Sequence, residues 1–131
     1  MVAKELVREL FKKWEGGDSA GFFAAVADEV VWTAIGHTPI SGVSRSKAEY
    51  MKRTYLPLQG VFAGATSCKV RRLVGEGDVV VVEWHGETLL AKGGGYSNDY
   101  CWVVRVQGEK IAEVTGYFDT AAVNALFGEQ K

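Results

Sequence analysis

The chain has few of the residues that mark metal sites, disulfide frameworks or rigid linkers: 2 cysteines, 2 histidines and 2 prolines among 131 residues. Cys68 and Cys101 form no C-x-x-C or zinc-type spacing, so we expect two reduced thiols. His37 and His85 lie on separate predicted elements, and no third ligand follows either at a recognisable spacing. The sequence therefore predicts no metal and no cofactor.

An excess of charge and long apolar runs are also missing. The formal net charge is -1, and the only basic cluster, Lys69 with Arg71 and Arg72, alternates across a predicted strand. We therefore expect no nucleic-acid partner. Apolar runs such as Val79 to Val82 are far shorter than the ~20 residues of a membrane helix. The N-terminus shows no signal-peptide pattern, so a cytoplasmic location is the default expectation.

Apolar and aromatic residues are plentiful, at 47% and 11% of the chain. A chain of this length buries roughly two-thirds of its unfolded surface, which suffices for one core and not for two. The sequence predicts a single domain, residues 1–131.

Helical patterns dominate the first half. The first helix follows from apolar residues at helical spacing: Val2, Leu6, Val7, Leu10, Phe11 and Trp14. A short second helix around Phe22 and Phe23 precedes a strand, Glu29 to Ile35, and a Gly- and Pro-containing loop, residues 36–42. A capping box, Ser46 to Glu49, opens a third helix that Pro57 is expected to close. Tyr50, Thr54 and Tyr55 share one face of this third helix.

After Gly60 the apolar period changes from helical to two. The alternation predicts four strands, Ser67 to Val74, Val79 to Leu90, Tyr96 to Val106 and Ile111 to Phe118, and then a final helix, Thr120 to Phe127. Strands this long in so short a chain must curl, and the helices that precede them can cover the concave face. We therefore predict an α+β fold with a strongly curved, mainly antiparallel sheet forming a cone (an α+β barrel) over the N-terminal helices. Such a cone has a tapered pocket rich in aromatic side chains.

Three local patterns, in this order and spacing, carry a family resemblance. They are Gly17-Asp18 followed by Ala27-Asp28-Glu29 and a strand, Gly36-x-x-Pro39-x-x-Gly42 before a helix, and Lys110-Ile111 through Tyr117-Phe118-Asp119. With these patterns the chain resembles the SnoaL-like branch of the nuclear transport factor 2-like superfamily over nearly its whole length. That superfamily includes ketosteroid isomerases, polyketide cyclases, limonene epoxide hydrolases, dehydratases and non-enzymatic domains, so the resemblance alone does not define a function.

The resemblance implies which strand residues point into the cone. These are Trp32 and Ala34, Glu83 and His85, Asn98, Tyr100 and Trp102, and Val114, Gly116 and Phe118. Alternation supports each set internally, because residues two apart share a face, but it does not say which face is inside. Flat apolar ligands suit walls made by Trp32, Tyr100, Trp102 and Phe118, with Asn98 and Tyr100 as orienting polar groups.

The known catalytic sets of the family are missing. Where the resemblance implies the acidic and tyrosine groups of ketosteroid isomerases, this chain has Thr33 or Ala34, Leu10 and Trp102. The positions of the epoxide hydrolase set are occupied by His85, Glu83, Gly116, Trp32 and Ala34. A cyclase-type acid near the last strand falls at Gly116, with Asp119 three residues further on.

The remaining candidates for chemistry are Glu83 and His85. An imidazole with a nearby carboxylate can transfer protons near neutral pH. In the alternative interpretation Glu83, His85 and Glu87 form the solvated or dimer-facing side of the strand, and Trp84 packs in the core.

Three functions follow from this reading. The first, which we favour, is a cofactor-independent acid/base enzyme of isomerase, cyclase or hydrolase type, acting on an apolar carbonyl, epoxide or polyketide-like compound. The second is a binding or carrier module for an apolar ligand, and the third is an interaction domain. The resemblance also implies a homodimer through the outer sheet face, where Lys69, Arg71, Glu113 and Thr115 can pair.

Overall fold

Alternating apolar and polar residues build one sheet in the structure, a computed structural model that describes residues 2–128. Its strands are β1 (Val26–Ala34), β2 (Gly42–Ser44), β3 (Ser67–Glu76), β4 (Val79–Leu89), β5 (Gly95–Gln107) and β6 (Lys110–Phe118). They are arranged in the order β2-β1-β6-β5-β4-β3. Every neighbouring pair is antiparallel except β1 with β6, which is parallel.

Three irregularities in register increase the bending of this sheet. They lie on β1 between Val26 and Val31, on β3 between Val70 and Arg72, and where Arg105 and Val106 on β5 meet β6. An extra residue on one strand of a pair bends that strand and increases its twist. The sheet is not closed, since β2 and β3 stay at its edges. The predicted α+β fold with a curved, mainly antiparallel sheet is confirmed.

Helices cover the concave face. They are α1 (Ala3–Glu15), α2 (Ala20–Ala25), α3 (Lys47–Tyr50), α4 (Leu56–Gln59) and α5 (Thr120–Leu126), with a π-helical segment, Met51–Tyr55, between α3 and α4. The buried face of α1 carries Val7, Leu10, Phe11 and Trp14, and its contacts reach β3, β4 and β5. The main core lies between α1 and the middle of the sheet.

The third predicted helix begins where the sequence indicated and ends later. The Ser46 hydroxyl accepts a hydrogen bond from the Glu49 backbone N–H at 3.0 Å, as in a capping box, while Glu49 Oε1 accepts from the Arg45 N–H at 3.1 Å instead of from Ser46. Pro57 does not end the helix, which continues through Gln59 to Gly60, so that prediction is wrong. Proline has no N–H to donate within a helix. The wide π-helical turn directly before Pro57 accommodates it.

Two further differences concern the first strand and its partner. β1 begins at Val26, three residues before the predicted start at Glu29, because α2 already ends at Ala25. β2 lies at the end of the predicted loop and pairs with β1, with Trp32 opposite Ser44.

The final helix ends at Leu126, one residue before the predicted Phe127. The assignment of residues 1–131 to one domain stays a prediction.

Candidate ligand-binding pocket

A cavity of about 300 Å³ lies between the concave face of the sheet and the helices. Its walls come from three sources. The chain from α1 to the loop after β1 contributes Trp14, Ser19, Phe23, Trp32, Ala34 and Ile40. The segment from α3 to β3 contributes Tyr50, Thr54, Tyr55, Leu58, Gln59, Phe62, Gly64, Ala65 and Thr66. The strands β4, β5 and β6 and the helix α5 contribute Trp84, Tyr96, Tyr100, Trp102, Gly116, Phe118 and Val123. Among residues 2–128, no lining residue is Asp, Glu, Lys, Arg or His.

All four tryptophans line this cavity, and their rings are ordered by stacking. Trp84 stacks on Tyr100 with ring centroids 4.2 Å apart and an interplanar angle of 16°. Trp102 stands nearly perpendicular to Trp84, at 87°. On the other side Trp32 stacks on Tyr50 at 3.9 Å. The two stacks present flat aromatic surfaces that suit a flat ligand.

A chain of polar groups interrupts this apolar wall on β5. The Asn98 amide Nδ2 donates to the Tyr96 hydroxyl at 2.8 Å, and the Tyr96 and Tyr100 hydroxyls are 2.9 Å apart. Asn98 is held in place by the Asp119 backbone, donating to its carbonyl at 3.1 Å and accepting from its N–H at 3.0 Å. Burial raises the pKa of both Tyr96 and Tyr100. Both phenols are therefore neutral at physiological pH.

The π-helical segment and its neighbours provide the opposite wall. Its lining residues are Tyr50, Thr54, Tyr55, Leu58 and Gln59. In a helix with a wide turn, residues four and five apart share a face, which brings both Thr54 and Tyr55 under Tyr50 towards the cavity. The Thr54 hydroxyl donates to the Ile40 carbonyl at 3.0 Å and ties this wall to the loop before β2. Burial raises the pKa of Tyr50, so this phenol also stays neutral.

The predicted ligand-binding residues divide into two groups. Trp32, Tyr100, Trp102 and Phe118 line the cavity. Asn98 is 4% exposed and lies behind the wall, where it contacts Tyr96 and Asp119 rather than the cavity. Their roles in binding stay predictions.

The structure corrects the placement of the predicted catalytic pair, Glu83 and His85. On β4 the buried positions are Val80, Val82, Trp84, Gly86 and Thr88. Because side chains alternate, Glu83 and His85 point to the opposite, outer face. Their expected position in the pocket is therefore wrong, and Trp84 takes that place. The two are not partners either, since Glu83 forms an ion pair with Arg72 at 3.0 Å.

His85 belongs to a network on the outer face. Its Nδ1 lies 2.9 Å from Asp99 Oδ1 and its Nε2 lies 3.0 Å from Glu87 Oε2, while Arg71 Nη2 lies 3.0 Å from the same Asp99 oxygen. The hydrogen bonds to Asp99 and Glu87 raise the pKa of His85 above its ordinary 6.5. The hydrogen bond from His85 is also the largest cause of the lowered pKa of Asp99.

We expect an NMR titration to give His85 a pKa above 6.5. A group whose pKa is raised by folding stabilises the fold fully below its unfolded pKa, and this contribution disappears as pH rises through the folded pKa. Stability should therefore decrease slightly from pH ~5.5 to ~8.5, and His85→Gln should remove that decrease. The effect is small because the groups are exposed to solvent. Urea unfolding of both proteins at the two pH values measures it, and a pKa at or below 6.5 contradicts the network.

The homodimer through this outer face stays a prediction. Of the residues expected to pair there, Arg71 contacts Asp99 and Glu113 contacts Arg105 Nε at 2.8 Å, both within the chain. Among the described residues, no group of three His, Cys, Asp or Glu side chains is placed to hold a metal ion. No helix within residues 2–128 is long and apolar enough to cross a membrane.

Sequence reasoning missed Tyr96 and the lining part of the segment from Leu58 to Thr66. Tyr96 has the same parity on β5 as Asn98, Tyr100 and Trp102, so the alternation already indicated its face. Phe62 stacks on Tyr96 with ring centroids 5.6 Å apart. The connection that carries Phe62 has no period, and no pattern in the sequence indicates that it borders the cavity.

The structure thus has a curved open sheet with helices over its concave face, and the described residues that line the pocket between them are aromatic or otherwise uncharged. The family model described as "SnoaL-like domain" matches residues 7–114, and the chain belongs to this family. The predicted family resemblance is thereby confirmed.

Solved structures show the same fold. An NTF2-like protein from Burkholderia thailandensis E264 is 22% identical with a TM-score of 0.79, covering 98% of this chain and 99% of its own. TerC, co-crystallised with polyporic acid, is 20% identical with a TM-score of 0.74 over 95% and 97% of the two chains. A protein with a ketosteroid isomerase-like fold from Catenulispora acidiphila DSM 44928, in complex with trimethylamine, is 14% identical with a TM-score of 0.70 over 96% and 94%. No curated protein matches the sequence.

Proposed function

We propose that this protein binds a flat, neutral and largely apolar molecule in the cavity of its cone. The observation that supports this most is the composition of the wall: four tryptophans, two of them in stacks with Tyr50 and Tyr100, and no charged side chain among the described lining residues. A ligand that brings a charge into such a site loses its hydration without gaining a counter-ion, which costs several kcal/mol. Neutral aromatic compounds avoid that cost and contact the rings over their whole face.

The size of the cavity is suited to a small ligand. About 300 Å³ lies at the lower end of the range for ligand pockets, which runs from roughly 300 to 1,000 Å³. Compounds of two or three fused rings fit this volume, whereas an extended polyketide does not. The ligand class is therefore narrower than the sequence-based proposal of any apolar carbonyl, epoxide or polyketide-like compound.

The side chains of the cavity wall also help to decide whether the protein is an enzyme or a carrier. A cofactor-independent acid/base enzyme needs a base at the reacting atom, and the favoured candidate, His85, lies on the outer face. The groups that titrate in the described wall are tyrosines, and the resolved pKa shifts of Tyr50, Tyr96 and Tyr100 are all upwards, so these phenols stay protonated and offer no base near neutral pH. This favours the alternative of a binding or carrier module over proton-transfer catalysis.

Catalysis by hydrogen bonding is the second candidate, and the Tyr96–Tyr100 hydroxyl pair favours it. Neutral phenols can polarise a carbonyl without removing a proton from the substrate. Faster deuterium exchange at the α-carbon of an enolisable fused-ring ketone, with the buffer as the base that removes the proton and with the acceleration lost in Tyr100→Phe, would support this candidate over the carrier.

Equilibrium dialysis with two matched probes tests the binding proposal. Fluorene, a neutral fused tricycle, should bind, whereas fluorenecarboxylate of nearly the same shape should bind at least ~100-fold more weakly because its charge has no partner. Ala34→Leu, which adds three carbons to a lining residue, should weaken fluorene binding at least ~10-fold.

The matched control is Thr33→Leu, which adds bulk on the opposite face of the same strand and should leave fluorene binding unchanged. Thermal melting of both variants shows whether the fold is retained. Equal affinity for the neutral and the anionic probe, or equal loss in both variants, would overturn the proposed pocket.

A further inference from the structure

The Tyr96 and Tyr100 hydroxyls carry two protons, and the hydrogen bond between their oxygens involves only one of them. The two oxygens are 2.9 Å apart, so one hydroxyl proton lies between them. The other hydroxyl proton has no acceptor among residues 2–128. Both residues line the cavity, and therefore a ligand is the available partner for this proton.

Asn98 fixes the direction of the first bond in this chain of hydrogen bonds. Its Oδ1 accepts from the Asp119 N–H and its Nδ2 donates to the Asp119 carbonyl, so the orientation of the amide is determined by the backbone. The second Nδ2 proton is directed to the Tyr96 oxygen at 2.8 Å. Asn98 is therefore a donor to Tyr96 and cannot accept the Tyr96 proton. That proton is free to pass to Tyr100.

Tyr100 stands where the end of such a chain meets the aromatic surfaces. Its ring stacks on Trp84, and the ring centroids of Trp102 and Phe118 both lie 6.4 Å away. A flat ligand held against these rings has its edge near the Tyr100 hydroxyl. Each donor in a chain strengthens the next, so the terminal O–H is a better donor than an isolated phenol.

We propose that Asn98, Tyr96 and Tyr100 form a one-directional donor chain whose terminal Tyr100 hydroxyl binds an acceptor oxygen, and that the ligand is a neutral fused-ring carbonyl compound such as an aromatic ketone or quinone. This proposal rests on the proposed function and specifies its ligand class. Tyr100 is then the specificity-determining residue, and Tyr96 and Asn98 are positioning residues. A pure hydrocarbon of the same shape leaves the hydroxyl proton unpaired and binds more weakly.

The test compares fluorenone with fluorene, which differ by one carbonyl oxygen, in equilibrium dialysis. The intact protein should prefer fluorenone by roughly five-fold, as one net hydrogen bond predicts. In Tyr100→Phe this preference should fall to about one while the affinity for fluorene is retained. Tyr96→Phe should reduce the preference less, because Tyr100 keeps its own hydroxyl proton and loses only the Tyr96 hydroxyl that donates to it. The control Tyr117→Phe removes the hydroxyl of a residue that is 50% exposed and lies outside the cavity, and it should leave the preference for fluorenone unchanged.

Infrared spectroscopy provides a second readout that does not depend on affinity. The carbonyl stretch of bound fluorenone should shift to lower frequency in the intact protein and return towards its apolar-solvent value in Tyr100→Phe. Fluorene binding without any preference for fluorenone would overturn the donor chain and leave the proposed pocket standing. No binding of either probe would overturn both. Loss of preference in Tyr96→Phe with retention in Tyr100→Phe would overturn the assignment of Tyr100 as terminal donor.

Discussion

Replacing Phe11 by alanine is expected to lower the free energy of unfolding by about 3–5 kcal/mol, the range for large aromatic-to-alanine changes in a core. Phe11 is 1% exposed, and its ring contacts four others, Trp14, Phe22, Trp84 and Trp102, at centroid distances of 5.3–6.1 Å. It is the residue through which α1 supports the back of the pocket wall. Urea unfolding followed by far-ultraviolet circular dichroism measures the change.

Two matched variants show whether burial is the cause. Phe11→Leu keeps most of the apolar volume and should cost less than the alanine variant. Leu89→Ala removes a side chain that is 71% exposed and should stay within about 0.5 kcal/mol of the unsubstituted protein. A loss below about 1 kcal/mol for Phe11→Ala would mean that α1 does not support the sheet as described.

Gly86→Ala is expected to reduce fluorene affinity at least ~10-fold and to cost about 1–3 kcal/mol of stability. A Cβ at this position would lie 2.9 Å from Trp84 Cζ3, 3.0 Å from Thr66 Cγ2 and 3.2 Å from Tyr100 Cε2. The Trp84 and Tyr100 rings must therefore separate or move into the cavity. Equilibrium dialysis and thermal melting measure the two effects.

The control is Gly95→Ala on the neighbouring strand. There the nearest atom to an added Cβ is the Thr88 carbonyl oxygen at 3.7 Å, an ordinary contact. Affinity and melting temperature should both stay close to those of the unsubstituted protein. Full fluorene affinity in Gly86→Ala would show that the ring stack does not form the binding surface.

The strands could be predicted well because a period of two is a property of the sequence itself. All four strands after Gly60 match the structure to within two residues at each end. Which face of a strand lines the pocket could not be predicted in the same way, because alternation divides the residues into two sets without saying which set is inside. On β4 the alternation puts Glu83 and His85 on one face and Trp84 and Gly86 on the other, and packing decides which face is inside. The Trp84 ring stacks over Tyr100 in the cone, so His85 lies outside.

Gly116 and Trp102, at which the family resemblance implied catalytic side chains in relatives, pack against each other. Gly116 and Trp102 are directly opposite each other on β6 and β5. A Cβ at Gly116 would lie 3.1 Å from Trp102 Nε1, so the indole occupies the space that a larger side chain at position 116 needs. A larger side chain at position 116 therefore needs a smaller or displaced side chain at position 102.

The parallel pairing of β1 with β6 has a consequence for how the chain reaches its folded state. Trp32 is paired with Val114, so strands from the first and the last third of the described chain lie side by side in the sheet. Closing so long a loop costs more entropy than forming the hairpins between β3 and β6, and contacts this distant in sequence slow folding. During synthesis β1 cannot pair with β6 until β6 has left the ribosome. The pairing of Trp32 with Val114 can therefore form only after β6 has been synthesised.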